Sequence, residues 1–241
     1  MQQLTLFLVL AIGLAGCKDQ AEEKAATEET TEEMAMEQTT NPESEWRVLF
    51  DGTSTDAWRG YLSDEMHPEW TIEGDALAFT PGEEGGKNII TKDKFKNFVL
   101  SLEWKISEGG NSGIFYLGQD THDYIWKTAP EMQVLDNENH PDAEAGIAGN
   151  RQAGALYDLI PAVPQNAKPA GEWNSVEIKV YKGSVWHYMN GEVVLEYHLW
   201  TPEWNEMVAG SKFPALNPDW ANVAAEGLIG LQDHGDDVWY R

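Results

Sequence analysis

From Phe98 to Ile106 the side chains alternate. Phe98, Leu100, Leu102, Trp104 and Ile106 are apolar, and Val99, Ser101, Glu103 and Lys105 lie between them. A period of two sends neighbouring side chains to opposite faces of an extended chain, so this is a strand with one face in a core and the other mostly in water. Val176, Ile178 and Val180 repeat the pattern, Lys182-Gly183 supplies a turn, 185–189 returns, Asn190-Gly191 turns again and 193–197 follows. The three are expected to form an antiparallel meander. Shorter candidates are 70–72, 76–80, 113–117, 132–135, 155–159, 228–231 and 238–240, separated by Gly, Pro and Asn clusters. No stretch of ten or more residues carries a helical period. Many short strands without alternating helices predict an all-β sandwich or jelly roll, and one domain over 46–241 fits that architecture.

What precedes the domain is of another kind. Residues 4–14 form an apolar run of signal-peptide length, too short to span a bilayer. It leads into Leu14-Ala15-Gly16-Cys17, which resembles a bacterial lipobox, so 1–17 is expected to be a signal peptide and Cys17 the lipidated residue. Residues 18–45 hold ten acids, two Lys and no aromatic residue. Such a segment buries too little apolar surface to fold and reads as a tether from lipid to domain. The chain is then expected in the bacterial cell envelope, touching the membrane through its anchor alone. With 41 Asp+Glu against 16 Lys+Arg, a net charge of −25 repels phosphate backbones, so nucleic acid is excluded as a partner. The single Cys excludes a disulfide framework.

Glu131 and Gln133 lie two apart on a predicted strand and share a face opposite Met132 and Val134. That face is either a polar site or simply a solvated one. Asp136 falls off the register unless a bulge after Gln133 re-aims it. Asn137, Asn139, His140, Asp142 and Glu144 follow at once, dense enough in oxygen and nitrogen donors for a divalent cation such as calcium, though in no regular liganding pattern. Two long irregular stretches, 136–151 and 161–171, mark a site nearby. His234, in Gln232-Asp233-His234-Gly235, is a candidate general acid or base because its free pKa lies near neutrality. Trp58, Trp126, Trp200, Trp204 and Trp220 fall outside the clear strands. They either stack on sugar rings or seal the ends of the sandwich. No HExxH, GxSxG, Walker or dinucleotide motif is present.

Taken in order, 48–52 (VLFDG) with Trp58, 111–114 (NSGI), 131–136 (EMQVLD), 154–158 (GALYD), 171–174 (GEWN), Asn190-Gly191 and 227–235 (GLIGLQDHG) resemble the 3-keto-disaccharide hydrolase domain family from about Trp46 to Arg241. The resemblance implies a concanavalin A-like jelly roll acting on oxidised glycosides. A ketone at carbon 3 acidifies the carbon 2 proton, so a base removes it, the oxygen at carbon 1 leaves, and water adds to the enone. The family pattern then suggests Glu131, His234 and Asp136 as the catalytic set. Asn111, Gln133, Tyr157, Gln232, Arg241 and Trp126 would bind the sugar. Family members usually continue beyond the Val-Trp-Tyr-Arg position, so the closing strand is expected to be truncated at Arg241.

Two other readings remain open on the sequence. Glu131-x-Gln133-x-x-Asp136 also looks like the Glu-x-Asp-x-x-Glu strand of laminarinase-type retaining glycosidases, with Gln in place of the middle acid. A non-catalytic sugar-binding module is the third, because many jelly rolls only bind.

Overall fold

The computed structural model describes residues 46–241; the signal, Cys17 and tether assignments lie outside them. Among the described residues twelve strands pair antiparallel in two sheets. They are β1 Trp58–Gly60, β2 Trp70–Glu73, β3 Ala76–Phe79, β4 Ile89–Thr91, β5 Phe98–Ile106, β6 Asn111–Gly118, β7 Glu131–Leu135, β8 Asn174–Tyr181, β9 Ser184–Met189, β10 Glu192–His198, β11 Leu228–Leu231 and β12 Val238–Tyr240. One sheet runs β1-β4-β11-β6-β7 and the other β10-β9-β8-β5-β12-β3-β2. This is the all-β jelly-roll sandwich the alternation predicts. Among the described residues no helix exceeds the eight residues of Pro202–Ala209.

The meander forms as predicted. Lys182 and Gly183 have φ of 49° and 90°, and Asn190 and Gly191 have 50° and 86°, the two consecutive positive values a tight hairpin turn needs. Strand β12 is paired on both sides, with β3 and β5. Short β1 and β4 were not expected. The stretch 155–159 is not a strand: it turns, yet it lies along β7, with Gln133 N–H donating to Ala155 O (3.1 Å), Gly154 N–H to Gln133 O (2.8 Å) and Tyr157 N–H to Glu131 O (3.0 Å). At the far edge of the other sheet, β10 carries a register shift between Val193 and Leu195. There Val163 N–H donates to Val194 O.

The main core fills the space between the sheets, with Ile89, Ile114, Met132 and Val134 from one side and Trp104, Val176, Ile178 and Val185 from the other. A buried polar chain crosses it. The Tyr197 and Tyr116 hydroxyls lie 2.6 Å apart, Tyr116 OH lies 2.8 Å from His187 Nε2, and His187 Nδ1 lies 3.0 Å from Gly154 O. Because a carbonyl only accepts, Nδ1 carries the proton, Nε2 accepts from Tyr116, and Tyr197 donates to Tyr116. Trp204, Trp220, Phe213 and Tyr197 stack at one end of this core. Trp58, Trp204 and Trp220 are buried, so they act as seals and offer no free ring face to a sugar.

Candidate active site

Antiparallel register decides which side chains share a face. Across the five-stranded sheet, Ile90, Gly230, Phe115 and Glu131 form one row, and Gln232, Gly113 and Gln133 form the next. Asn111 and Leu135 follow. Except for Leu135, which is itself part of the main core, these point away from it, since the intervening residues Ile114, Met132, Val134 and Leu231 belong to it. This outer face is covered in two different ways. Its Phe115 end is an apolar plug, where Ile90, Phe115 and Leu228 pack under Tyr61, Ile125 and Ala129. Its Asn111 end is polar and equally buried. Every residue of β6, β7 and β11 is buried as a result.

Glu131 stands at the boundary between the two halves. It is 8% exposed, and its side chain lies over Gly113, so close that a Cβ on that glycine would come within 2.0 Å of Oε1. A glycine there leaves the Glu131 carboxyl its place, with no positive φ involved. Among the described residues no hydrogen bond reaches the Glu131 carboxyl. Burial raises its pKa to about 8, against the pull of the Lys212 ammonium and with a push from Asp142. Next to it are three amides that lack partners: both polar atoms of Gln133, Oδ1 of Asn111 and Oε1 of Gln232 are buried and unbonded. Buried polar atoms in a folded chain are nearly always completed by a partner, whether water, an ion or a ligand.

A second group closes over this face from the connection after β7. Arg151 bridges two carboxylates, Nη1 to Asp142 Oδ1 (2.8 Å) and Nε to Asp158 Oδ1 (2.5 Å). Tyr157 OH donates to Asp142 Oδ2 at 3.0 Å. Asp158 holds a left-handed backbone, φ 62°, and its second oxygen is 3.6 Å from Lys212 Nζ. Lys212 follows the helix Pro202–Ala209, which starts cleanly because Thr201 Oγ1 accepts from Trp204 N–H and Pro202 fills the first turn. Its ammonium sits 4.2 Å from the centre of the Tyr157 ring. Burial lowers the Lys212 pKa, joined by the nearby Arg151 and opposed by Asp158, Glu131 and Asp142.

The fold thus brings together Glu131, Gln133, Asn111, Gln232 and Tyr157 of the predicted residues. It adds Lys212 and Arg151, which no motif announced, and gives Asp142 and Asp158 specific partners. Asp136 has a different task. No bulge interrupts the β6–β7 register, and its carboxylate accepts from Gly109 N–H (2.7 Å), Glu138 N–H (3.1 Å) and Asn139 Nδ2 (2.7 Å). It organises the turn, and these bonds hold its pKa low although burial pushes the other way. Arg241 lies on the outer face of the seven-stranded sheet, on the opposite side of the sandwich, paired with Glu103 (2.7 Å) and Asp75 (3.3 Å). Trp126 belongs to the apolar half, stacked on Tyr124. His234 stands with His140, ring centres 6.2 Å apart, and with Asp236. An open groove of about 430 Å³ runs between Ser107, Glu138, Pro169 and Trp239, and Glu131 is not in its wall.

A family model described as the 3-keto-alpha-glucoside-1,2-lyase-like domain matches residues 45–241. A 3-keto-disaccharide hydrolase of Bacteroides thetaiotaomicron is 49% identical over 219 residues, which cover 80% of this chain and 75% of that protein. Two crystal structures of Parabacteroides distasonis proteins share the fold. One has a TM-score of 0.72 at 27% identity, covering 80% of this chain and 89% of the other. The second has a TM-score of 0.60 at 30% identity, covering 76% and 95%.

Proposed function

Because the chain belongs to the 3-keto-alpha-glucoside-1,2-lyase-like domain family, we propose that it is a carbohydrate-active enzyme that cleaves 3-keto-glycosides by elimination followed by addition of water. The observation that carries this reading is Glu131, a buried carboxyl with no partner and a pKa raised to about 8, beside three amides with unbonded polar atoms. A carboxylate made this basic is suited to taking a proton from carbon, and the unbonded amides suit the hydroxyls of a sugar.

In the proposed sequence Glu131 takes the carbon 2 proton, and the C1–O bond breaks as the C1–C2 double bond forms. Lys212, whose lowered pKa makes its ammonium a better acid, donates a proton to the leaving oxygen and stabilises the developing negative charge. Water then adds to the enone, and Glu131 returns its proton to Lys212. Turnover should therefore rise with pH through about 8 and fall again as Lys212 titrates. Lys212→Met should lower kcat and remove the alkaline fall. The direct test is turnover of a chromogenic 3-keto-glucoside beside its unoxidised parent. Release from the keto form alone supports elimination; release from the parent would favour a classical glycosidase, and silence on both a binding module.

The retaining-glycosidase alternative is less well supported. It needs two free carboxyls about 5–5.5 Å apart, whereas the middle position is Gln133 and all the Asp136 bonds serve the turn. We also propose that Cys17 carries a lipid holding the enzyme at the cell envelope. Loss of membrane association in Cys17→Ser, with turnover retained, is the expected result.

A further inference from the structure

The elimination chemistry leaves a second cluster unused. His140, in the turn after β7, meets His234 and Asp236 from the connection between β11 and β12, and one nitrogen or oxygen from each lies within 4.8 Å of the others. Atoms around one ion, each about 2.1 Å from it, sit roughly 3–4 Å apart, so only a small closure separates this cluster from a coordination sphere. Two residues tied to it by backbone or sequence hold unbonded oxygens. Asn111, 3% exposed, donates its backbone N–H to Asp236 Oδ2 at 3.0 Å while its own Oδ1 has no partner. Gln232 Oε1, two residues before His234, is likewise buried and unbonded.

We propose that His140, His234 and Asp236 are the protein ligands of a divalent transition-metal ion at the rim of the polar face. Two imidazoles and one carboxylate select for zinc, cobalt, nickel or manganese over calcium, which prefers an all-oxygen set. Three protein ligands leave coordination positions open, the arrangement of an ion that also holds an oxygen of a second molecule. One existing contact works against the site: His140 Nδ1 accepts from Asp142 N–H at 3.1 Å. Metal at Nδ1 displaces that bond, and metal at Nε2 moves the ring proton onto Nδ1 and breaks it too. The loss is a single long hydrogen bond in a partly exposed turn. The assignment takes His234 out of proton transfer, and it stands apart from the elimination reading because it is read out by binding.

The test is to strip the full-length protein with a chelator and titrate it calorimetrically with zinc, and by visible absorption with cobalt. Excess magnesium should be present to occupy the carboxylates of a chain with a net charge of −25. The expected result is one saturable equivalent, with cobalt bands, weakened at least about a hundredfold by His234→Ala or Asp236→Ala and unchanged by Lys105→Ala. Unfolding midpoints of the metal-free variants equal to wild type would show that the loss is one of ligands and not of fold. Binding that magnesium abolishes, or that His140→Ala and His234→Ala leave unchanged, would overturn the site.

Discussion

The two outer faces of the sandwich solve opposite problems with similar residues. On the seven-stranded sheet the charges are partnered: Lys105 lies 4.3 Å over Trp239 and 5.2 Å over Trp173, Arg241 pairs with Glu103 and Asp75, and Trp239 Nε1 donates to Glu73. Water reaches most of these groups, so each contributes little. On the five-stranded sheet the polar face is buried, three amides there hold unbonded polar atoms, and the Glu131 carboxyl beside them is held well above its usual pKa by burial. Polar groups that would cost nothing in solvent are costly where they sit. The difference teaches that on this face, unlike the wet one, polar atoms stand buried and unbonded, although His67, Glu69, Trp104 and Asn166 each leave one such atom elsewhere in the fold.

The largest break in that contrast should come from Glu131→Gln. Its turnover should fall about 10²–10⁴-fold while the fold survives, as checked by kinetics and circular dichroism. The same variant should gain stability relative to wild type as pH rises. A folded pKa of about 8 against an ordinary 4.5 means that Glu131 is tolerated best at low pH and destabilises the fold as pH rises from about 4.5 to 8. Denaturant unfolding at pH 5 and pH 9 should thus show the variant ahead only at pH 9, by a few kcal/mol. Gly113→Ala should act on the same carboxyl from below, since the new methyl occupies the place of Oε1. Activity should drop at least about tenfold with near-normal melting, because the displaced atoms end a flexible side chain. Gln133→Leu should raise KM by about tenfold yet leave the protein as stable as wild type or up to about 1 kcal/mol more stable, since it removes two unbonded buried atoms. The smallest effect belongs to the wet face, where Lys105→Ala should change stability by no more than about 0.5 kcal/mol and turnover not at all. A large loss of turnover there would break the comparison.

The same contrast explains what the sequence reveals. Strands β5, β8, β9 and β10 announce themselves because one of their faces is wet, and alternation survives in their composition. In β6, β7 and β11 both faces are buried, so the pattern shrinks to short apolar runs, and β1 and β4 are too short to carry any. Glu131, Gln133, Asn111, Gln232 and Tyr157 were legible through the ordered motifs they belong to. Lys212 was not, because it reaches the site from a helical excursion far along the chain, and nothing near Ser211-Lys212-Phe213 marks it. Asp136 and Arg241 entered through the same family pattern. The hydrogen bonds of a turn occupy Asp136, and the alternation of side chains along β12 puts Arg241 on the opposite outer face.

The stretch that lies along β7 without becoming a strand has a further consequence. An exposed sheet edge invites pairing with another chain, and natural β-proteins protect theirs. Residues 154–157 occupy the backbone groups of Glu131 and Gln133, and at the other sheet's far edge the irregular β10 and Val163 do similar duty. Since the first of these covers also carries Tyr157 and leads to Asp158, a mutation that loosens it would expose a sheet edge and disturb the candidate site together. Protection of that edge and the geometry of the candidate site rest on the same short segment of backbone.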